Sequence, residues 1–360
     1  MIGMIRWRRA SVTAVGRRWH GAVELNAAVQ ARRPDDPATV RAIAYPDLVG
    51  APAVGDTVLL NLGALHLGLG TGGYALVVAI PDRLPYDVTR PGHVVKARYT
   101  PLQAIVLGVD EEASPHRAIL DAADTLDGMP VVTADLHSAL PAVVAGVHAD
   151  RPDARVAYVM TDGGALPAWF SRTVDSLAGR LAGTVTAGQA FGGDLESANV
   201  HSGLLAARYV LGADVAVVAQ GPGNLGTGTP WGFSGVAVGE AVNAAAVLGG
   251  RPVGSLRISA ADPRPRHHGV SHHSLTAYGR VALARADLVV PAGLDPSLCE
   301  GLAALAQRHR LVEVDVDGLD DALRELPDKL STMGRDLDAD HVYFLAAAAA
   351  GRHAAALLSG

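Results

Sequence analysis

From about Lys96 onward the chain repeats one unit: an apolar run of strand length, a polar glycine-rich loop, then a helical segment. The runs are "LQAIVLGV", "MPVVTAD", "ARVAYVM", "GTVTAGQAF", "ADVAVVAQ", "RPVGSLRIS", "ADLVVPA" and "RLVEVDV". A near-continuous apolar strand has no solvent face, so it needs helices on both sides and a parallel sheet. The segments between the runs, such as "LPAVVAGVHAD" and "SGLLAARYVLG", supply the crossovers. The expected fold class is therefore α/β, with a doubly wound, mostly parallel sheet over residues 91–360. A closed α/β barrel is the alternative. Either arrangement puts functional groups on the loops at the C-terminal ends of the strands.

Residues 1–90 read differently. Short segments alternate at period two, as in "RASVTAVGRRW" and "TVRAIAYPDL", punctuated by Gly, Pro and Asp. That is the pattern of antiparallel strands and turns, and predicts a small barrel-like β domain. "RRPDDPAT" is expected to be a hairpin loop. "PDRLPYDVTRPGH", with three prolines and no periodicity, is expected to link the two domains.

Composition narrows the function. Aromatics are only 4% of a chain that is 49% hydrophobic, so Val, Leu and Ala must build the core. A net charge of −6 argues against a nucleic-acid partner, because phosphate backbones need a basic surface. One cysteine excludes an intrachain disulfide and suits a reducing cytoplasm. The N-terminus lacks the apolar run of a signal peptide. The Ala-rich run near the C-terminus is interrupted by Arg352 and His353, so it reads as a packed helix and not a membrane span. A weakly amphipathic helix of this kind suits a subunit interface, which points to a homodimer.

The strand-end loops carry the chemistry. In "GPGNLGTGTPWGFSG" a buried strand runs into Gly221, Gly223, Asn224, Gly226, Thr227, Gly228 and Thr229, then a helix. Glycines let backbone N–H groups turn inward, and a helix start adds positive potential, which together can cradle an anion. A tight structural turn explains the glycines equally well. The loop is neither a Walker loop nor a clear dinucleotide fingerprint. In "ADLHSALP", Asp135 and His137 lie two apart at a strand end and can act as an acid/base pair or as metal ligands. Asp162 precedes two glycines in "MTDGGALP", and Asp194 lies in "AFGGDLE". Asp135, His137, Asp162, Asp194 and one C-terminal histidine could make an oxygen-rich site for a divalent cation. Lys96 and Arg98 fall at the domain junction, where ligand clefts often form.

"RHHGVSHHSLTAYG" holds four histidines in seven positions. Arg266, His267 and His268 read as a flexible cationic loop bounded by prolines. Ser271 is the expected N-cap of a helix whose first turn contains His272 and His273. The positive end of a helix disfavours imidazolium, so both rings should stay neutral and able to take a proton. Gly269 interrupts any continuous helix joining His268 to His272, so the four-residue spacing is no metal-binding helix.

With "GHVVKARYTPLQ", "DLHSALPAVVAG", "YVMTDGGALPAWFS", "GQAFGGDLE", "GPGNLGTGTPWGFSG" and "RHHGVSHHSLTAYGRVAL" laid out, the chain resembles a bacterial family catalogued as domain of unknown function 3866. That resemblance spans nearly the full length and implies no substrate and no catalytic residue. The residues themselves imply an enzyme acting on a small anionic metabolite. His272, His273, His137, Asp135 and Asp162 are its candidates for proton transfer. The Gly/Thr loop, Arg266 and His268 are its candidates for ligand binding. The alternative is a non-catalytic ligand sensor or assembly scaffold.

Overall fold

A computed structural model describes residues 5–359. Two compact units emerge, one made of the chain up to Pro91 with Ala97–Ala104, the other of Gly92–Lys96 with the chain from Ile105 onward. In the first unit, β1 (Trp7–Trp19), β2 (Ala22–Val29), β3 (Thr39–Ala44), β4 (Thr57–Asn61) and β5 (Tyr74–Ala79) close a barrel in the order β1-β2-β3-β5-β4. The period-two pattern becomes an interior of Ala10, Val12, Leu25, Ala27, Ala42, Val58 and Leu60. Register shifts after Val12 and Val15 bend β1, so that it pairs with both β2 and β4. The β3–β5 pair is parallel, the one departure from an antiparallel barrel. Arg8 takes an inward position on β1 and is met by both oxygens of Asp36, at 2.5 and 2.8 Å. Asp36 also accepts the backbone N–H groups of Arg32 and Arg33, which pins the "RRPDDPAT" loop.

The second unit is built on an open eight-stranded sheet. Its strands are β6 (Pro130–Ala134), β7 (Val156–Thr161), β8 (Gly183–Thr186), β9 (Leu195–Glu196), β10 (Val215–Gln220), β11 (Arg251–Ser255), β12 (Asp287–Pro291) and β13 (Arg310–Val314). They run in the order β9-β8-β7-β10-β6-β11-β12-β13, and every pair is parallel. The sheet therefore does not close, which removes the α/β-barrel alternative. "LQAIVLGV" is not a strand of this sheet: only Ala104–Val106 is extended, in a separate two-stranded pair with Val94–Lys96, and the segment touches the large sheet through a single bridge from Gly108 to Glu196. Its Ile105 is exposed, so the run lacks the two covered faces that a central strand needs.

Helices α1 (Leu140–Asp150) and α5 (His341–Ala356) cover one face of the sheet. Helices α2 (Val200–Tyr209) and α3 (Ala237–Val247) cover the other. Small residues let α1 and α5 touch backbone to backbone. A Cβ on Gly146 would lie 1.9 Å from the Ala348 carbonyl, and one on Gly351 would lie 2.0 Å from that of Val143. The Ala-rich face of α5 is thereby buried within its own unit, which removes the argument that it awaits a second subunit. Among the described residues no helix is long and apolar enough to cross a membrane.

Strands β6 to β9 were added in one direction across the sheet, and β11 to β13 in the other, with β10 slotted beside β6. The loops leaving β6, β10 and β11 thus flank the place where the strand order reverses, which is where open α/β sheets bind ligands.

Replacing Gly146 by Ala is expected to destabilise the protein by about 2 kcal/mol or more, since backbone cannot yield as a side chain does. Thermal melting checks this, and a melting temperature within a degree of wild type would contradict the close packing.

Candidate functional site

Three strand-end loops converge on one buried cluster. Asp135 follows β6 directly and is 4% exposed. Its Oδ2 lies 3.2 Å from Nδ1 of His273 and 3.9 Å from Nη1 of Arg257. His273 stands in the first turn of α4 (His272–Thr276), capped by Ser271, whose hydroxyl accepts the His273 N–H. A π-helical turn, Ala277–Val281, continues α4 and seats Tyr278, whose hydroxyl donates to the Thr133 carbonyl at 2.8 Å. The helix bearing the histidines is therefore fastened to β6, the strand that leads into Asp135.

The third histidine arrives by a turn. Gly269 and Val270 pair with Ile258 and Ser259 in a short antiparallel ladder. Gly269 adopts φ +67°, a conformation that suits glycine. The chain folds back there and lays His267 against His272 and His273, each with ring centroids 4.8 Å away. The His272 and His273 rings are 4.5 Å apart, and Phe233 stacks on His273 at 3.8 Å with its plane parallel. His267 Nδ1 lies 2.7 Å from the Ser271 hydroxyl. His267 is 2% exposed, which corrects its assignment to a flexible loop. His268 is exposed, and nothing in the cluster bonds to it.

The charges behind the cluster form a ladder. Arg257 is 3% exposed and reaches Asp262 at 3.3 Å. Asp262 also takes a two-pronged contact from Arg264, at 2.7 and 2.9 Å, and one from Arg335 at 3.3 Å. Arg335 continues to Asp340, which accepts the Ser259 hydroxyl. Burial alone would raise the Asp135 carboxyl, but the His273 hydrogen bond and the Arg257 charge outweigh it and hold the group below its ordinary value. Burial, reinforced by the charges of Arg257 and Arg264, pushes the His267 imidazole down to about 3. Burial, then His273 and Arg266, push His272 down to about 4. Both rings are neutral at neutral pH, so each offers a nitrogen lone pair. The Nε2 atom of His272 is buried and has no hydrogen-bond partner.

Gln220, at the end of β10, joins this cluster to the Gly/Thr loop. Its amide nitrogen donates to the Asp135 carbonyl at 2.7 Å and its amide oxygen accepts the Ser234 hydroxyl. Asn224 Oδ1 accepts from the same Gln220 nitrogen. The loop's own groups are largely engaged with one another. Thr227 and Thr229 share a hydrogen bond at 3.1 Å, Thr227 N–H donates to the Gly232 carbonyl, and Gly232 N–H donates to Thr229. Asn224 and the two threonines thus shape the loop. Gly221 is packed under Ala165, while Gly223, Gly226 and Gly228 are exposed. Arg266 closes over Gly228, where a Cβ would lie 3.8 Å from the guanidinium.

His137 and Asp162 stand apart from the cluster. His137 is buried between Tyr158, 3.1 Å from Nδ1, and Ser171, 2.7 Å from Nε2. Tyr158 in turn donates to the Gln220 carbonyl at 2.9 Å, and Ser171 caps the short helix that follows it. Asp162 accepts the Gln189 N–H, and Asp194 accepts the Thr184 N–H. The oxygen-rich cation site is not assembled among the described residues: Asp162 is bonded to the loop after β8, Asp194 to β8 itself and Asp135 to His273. Lys96 is wholly buried, donates to the carbonyls of Ala190 and Ser197 at 2.9 and 2.8 Å, and so has no free face for a ligand. Among the described residues, the set with the spacing of metal ligands is His267, His272 and His273, whose ligand atoms lie within 4.8 Å of one another. Sequence reasoning missed Arg257, Asp262 and Phe233. An arginine inside the apolar run "GSLRIS" was the available signal for the first, since a charge in a buried strand must have a partner.

His137 gives the site's surroundings a pH dependence. Burial lowers its folded-state value from 6.5 to about 4. Between those values the unfolded chain binds more protons than the folded one, so stability falls as pH falls from about 6.5 to about 4. The loss due to this residue is expected to be on the order of 3 kcal/mol at most. Denaturant titrations from pH 7 to pH 4 should show a shallower slope of stability against pH in His137→Gln. An unchanged slope would contradict the assignment.

Comparison with curated proteins and with solved structures finds no match. A family model described as protein of unknown function (DUF3866) matches residues 41–351, which take in the barrel from Arg41 in β3 onward and nearly all of the sheet domain. The chain belongs to that family.

Proposed function

We propose that the chain is an enzyme whose reaction centre is the His267–His272–His273–Asp135 cluster, acting on a small anionic metabolite by acid/base chemistry. One observation carries this reading: His272 Nε2 is buried without a hydrogen-bond partner, and its charged neighbour, Arg266, is itself unpaired among the described residues. Arg266 makes no hydrogen bond or ion pair among the described residues, yet its charge is felt by His272 and its guanidinium lies over Gly228. A neutral electron-pair donor beside an unengaged cation suits a substrate that carries its own negative charge. Asp135 acts as a positioning group: it accepts the His273 Nδ1–H and so fixes the tautomer. The strands deliver these groups from rigid ends, which keeps them in register without substrate.

The polar groups favour reactions that activate water or a substrate hydroxyl. Hydrolysis, elimination and group transfer share that step. The reduced single cysteine is consistent with a cytoplasmic setting, which belongs to this proposal. Two probes test it: p-nitrophenyl phosphate and p-nitrophenyl acetate for turnover, and inorganic phosphate for thermal stabilisation. Asp135→Asn is expected to lower kcat/KM by about 100-fold on whichever ester is turned over. Arg266→Ala is expected to raise KM by about tenfold, to change kcat less, and to abolish stabilisation by phosphate. Phosphate stabilisation without turnover of any ester would instead favour a non-catalytic sensor. Wild-type behaviour in both variants would sink the assignment.

A further inference from the structure

We propose that His267, His272 and His273 bind one divalent transition-metal ion of the zinc class through their ring nitrogens, with Asp135 as the outer carboxylate that orients His273. The inference rests on the same cluster as the proposed reaction and names the group that would receive its lone pairs.

Four features of the geometry point to it. The three ligand atoms already lie within 4.8 Å of one another. A tetrahedral set with metal–nitrogen bonds of about 2.0–2.1 Å has its nitrogens about 3.3 Å apart, so the rings need to close by roughly an ångström and a half at most. Secondly, two of the rings are held from behind. His273 is bonded through Nδ1 to Asp135 and His267 through Nδ1 to Ser271, which leaves Nε2 of each as the nitrogen available to a ligand. A serine hydroxyl has two acceptor lone pairs, so Ser271 can take both the His273 backbone N–H and the His267 ring N–H. A carboxylate or hydroxyl behind a histidine is the usual support of a metal-bound imidazole.

Thirdly, His272 Nε2 is buried with no hydrogen-bond partner. Leaving such an atom unsatisfied is costly, and a bound cation removes that cost. Fourthly, the donor set selects the metal. Three imidazoles with no oxygen ligand among them suit zinc and its first-row neighbours, whereas magnesium and calcium take oxygens. Three protein ligands leave a fourth position for water, which is the arrangement of catalytic sites and not of closed structural ones. An ion held there would lower the pKa of that water and so supply the activated water of the proposed reaction. Arg257 and Arg264 oppose a cation by their charge, but both are paired to Asp262, and Asp135 and Asp262 together offset them.

The test is a Co2+ titration of chelator-treated full-length protein, followed by visible absorption, with Zn2+ added in competition. One equivalent of Co2+ with the intense bands of a tetrahedral site, displaced by Zn2+, is expected. His272→Gln and His267→Ala are expected to weaken binding by at least about 100-fold, with circular dichroism showing that each remains folded. The exposed His268→Ala should bind within about twofold of wild type. Absence of a tetrahedral spectrum in wild type overturns the proposal, as does equal weakening by His268→Ala. Ester turnover by protein shown to be metal-free would overturn the metal assignment while leaving the proposed reaction standing. Stoichiometric metal with no turnover would support the site and remove that reaction.

Discussion

A carboxylate with 4% of its residue exposed stays ionised only if positive charge lies against it, and in this fold Asp135 is that carboxylate. His273 and Arg257 meet it, Arg257 is held by Asp262, and Asp262 gathers Arg264 and Arg335. Removing one partner from such a set leaves an uncompensated buried charge, at a cost of about 3–5 kcal/mol. The loops after β6 and β11 and the segment before α5 are therefore locked together by charge. The histidine cluster inherits its geometry from that lock.

The aliphatic sheet sets the stage for this arrangement. Parallel strands of Val and Ala, covered on both faces, bring their C-terminal ends to one edge. Close approach of α1 and α5 through Gly146 and Gly351 holds that edge rigid from one side. Gln220 then carries the rigidity sideways, from the Asp135 backbone to the Gly/Thr loop. A ring with a buried, unbonded nitrogen is costly in such a setting. Its presence is the clearest sign that stability alone did not shape the cluster.

Much of the architecture was legible in the sequence because it depends on local periodicity. Seven of the expected strand runs lie in the sheet, and Ser271 caps the helix that starts at His272. "LQAIVLGV" misled because apolar content was read without asking whether both faces could be covered, and the two-residue Leu195–Glu196 takes the edge place instead. The candidate site was legible only in part. Asp135, His272 and His273 could be picked as strand-end polar residues. Their meeting depends on which strands are neighbours, and no local pattern encodes that. His267 was hidden by Gly269, which breaks a helix but permits the tight return that places His267 beside His272. His137 and Asp162 have the right residue types, but hydrogen bonds to Tyr158, Ser171 and Gln189 occupy them.

The central claim is that the cluster presents neutral imidazoles beside an ionised Asp135. Side-chain 15N spectra of the histidines across a pH titration measure this directly. His267 and His272 should keep the pattern of neutral rings down to pH 5. Protonation of His267 or His272 above pH 5 would contradict the account.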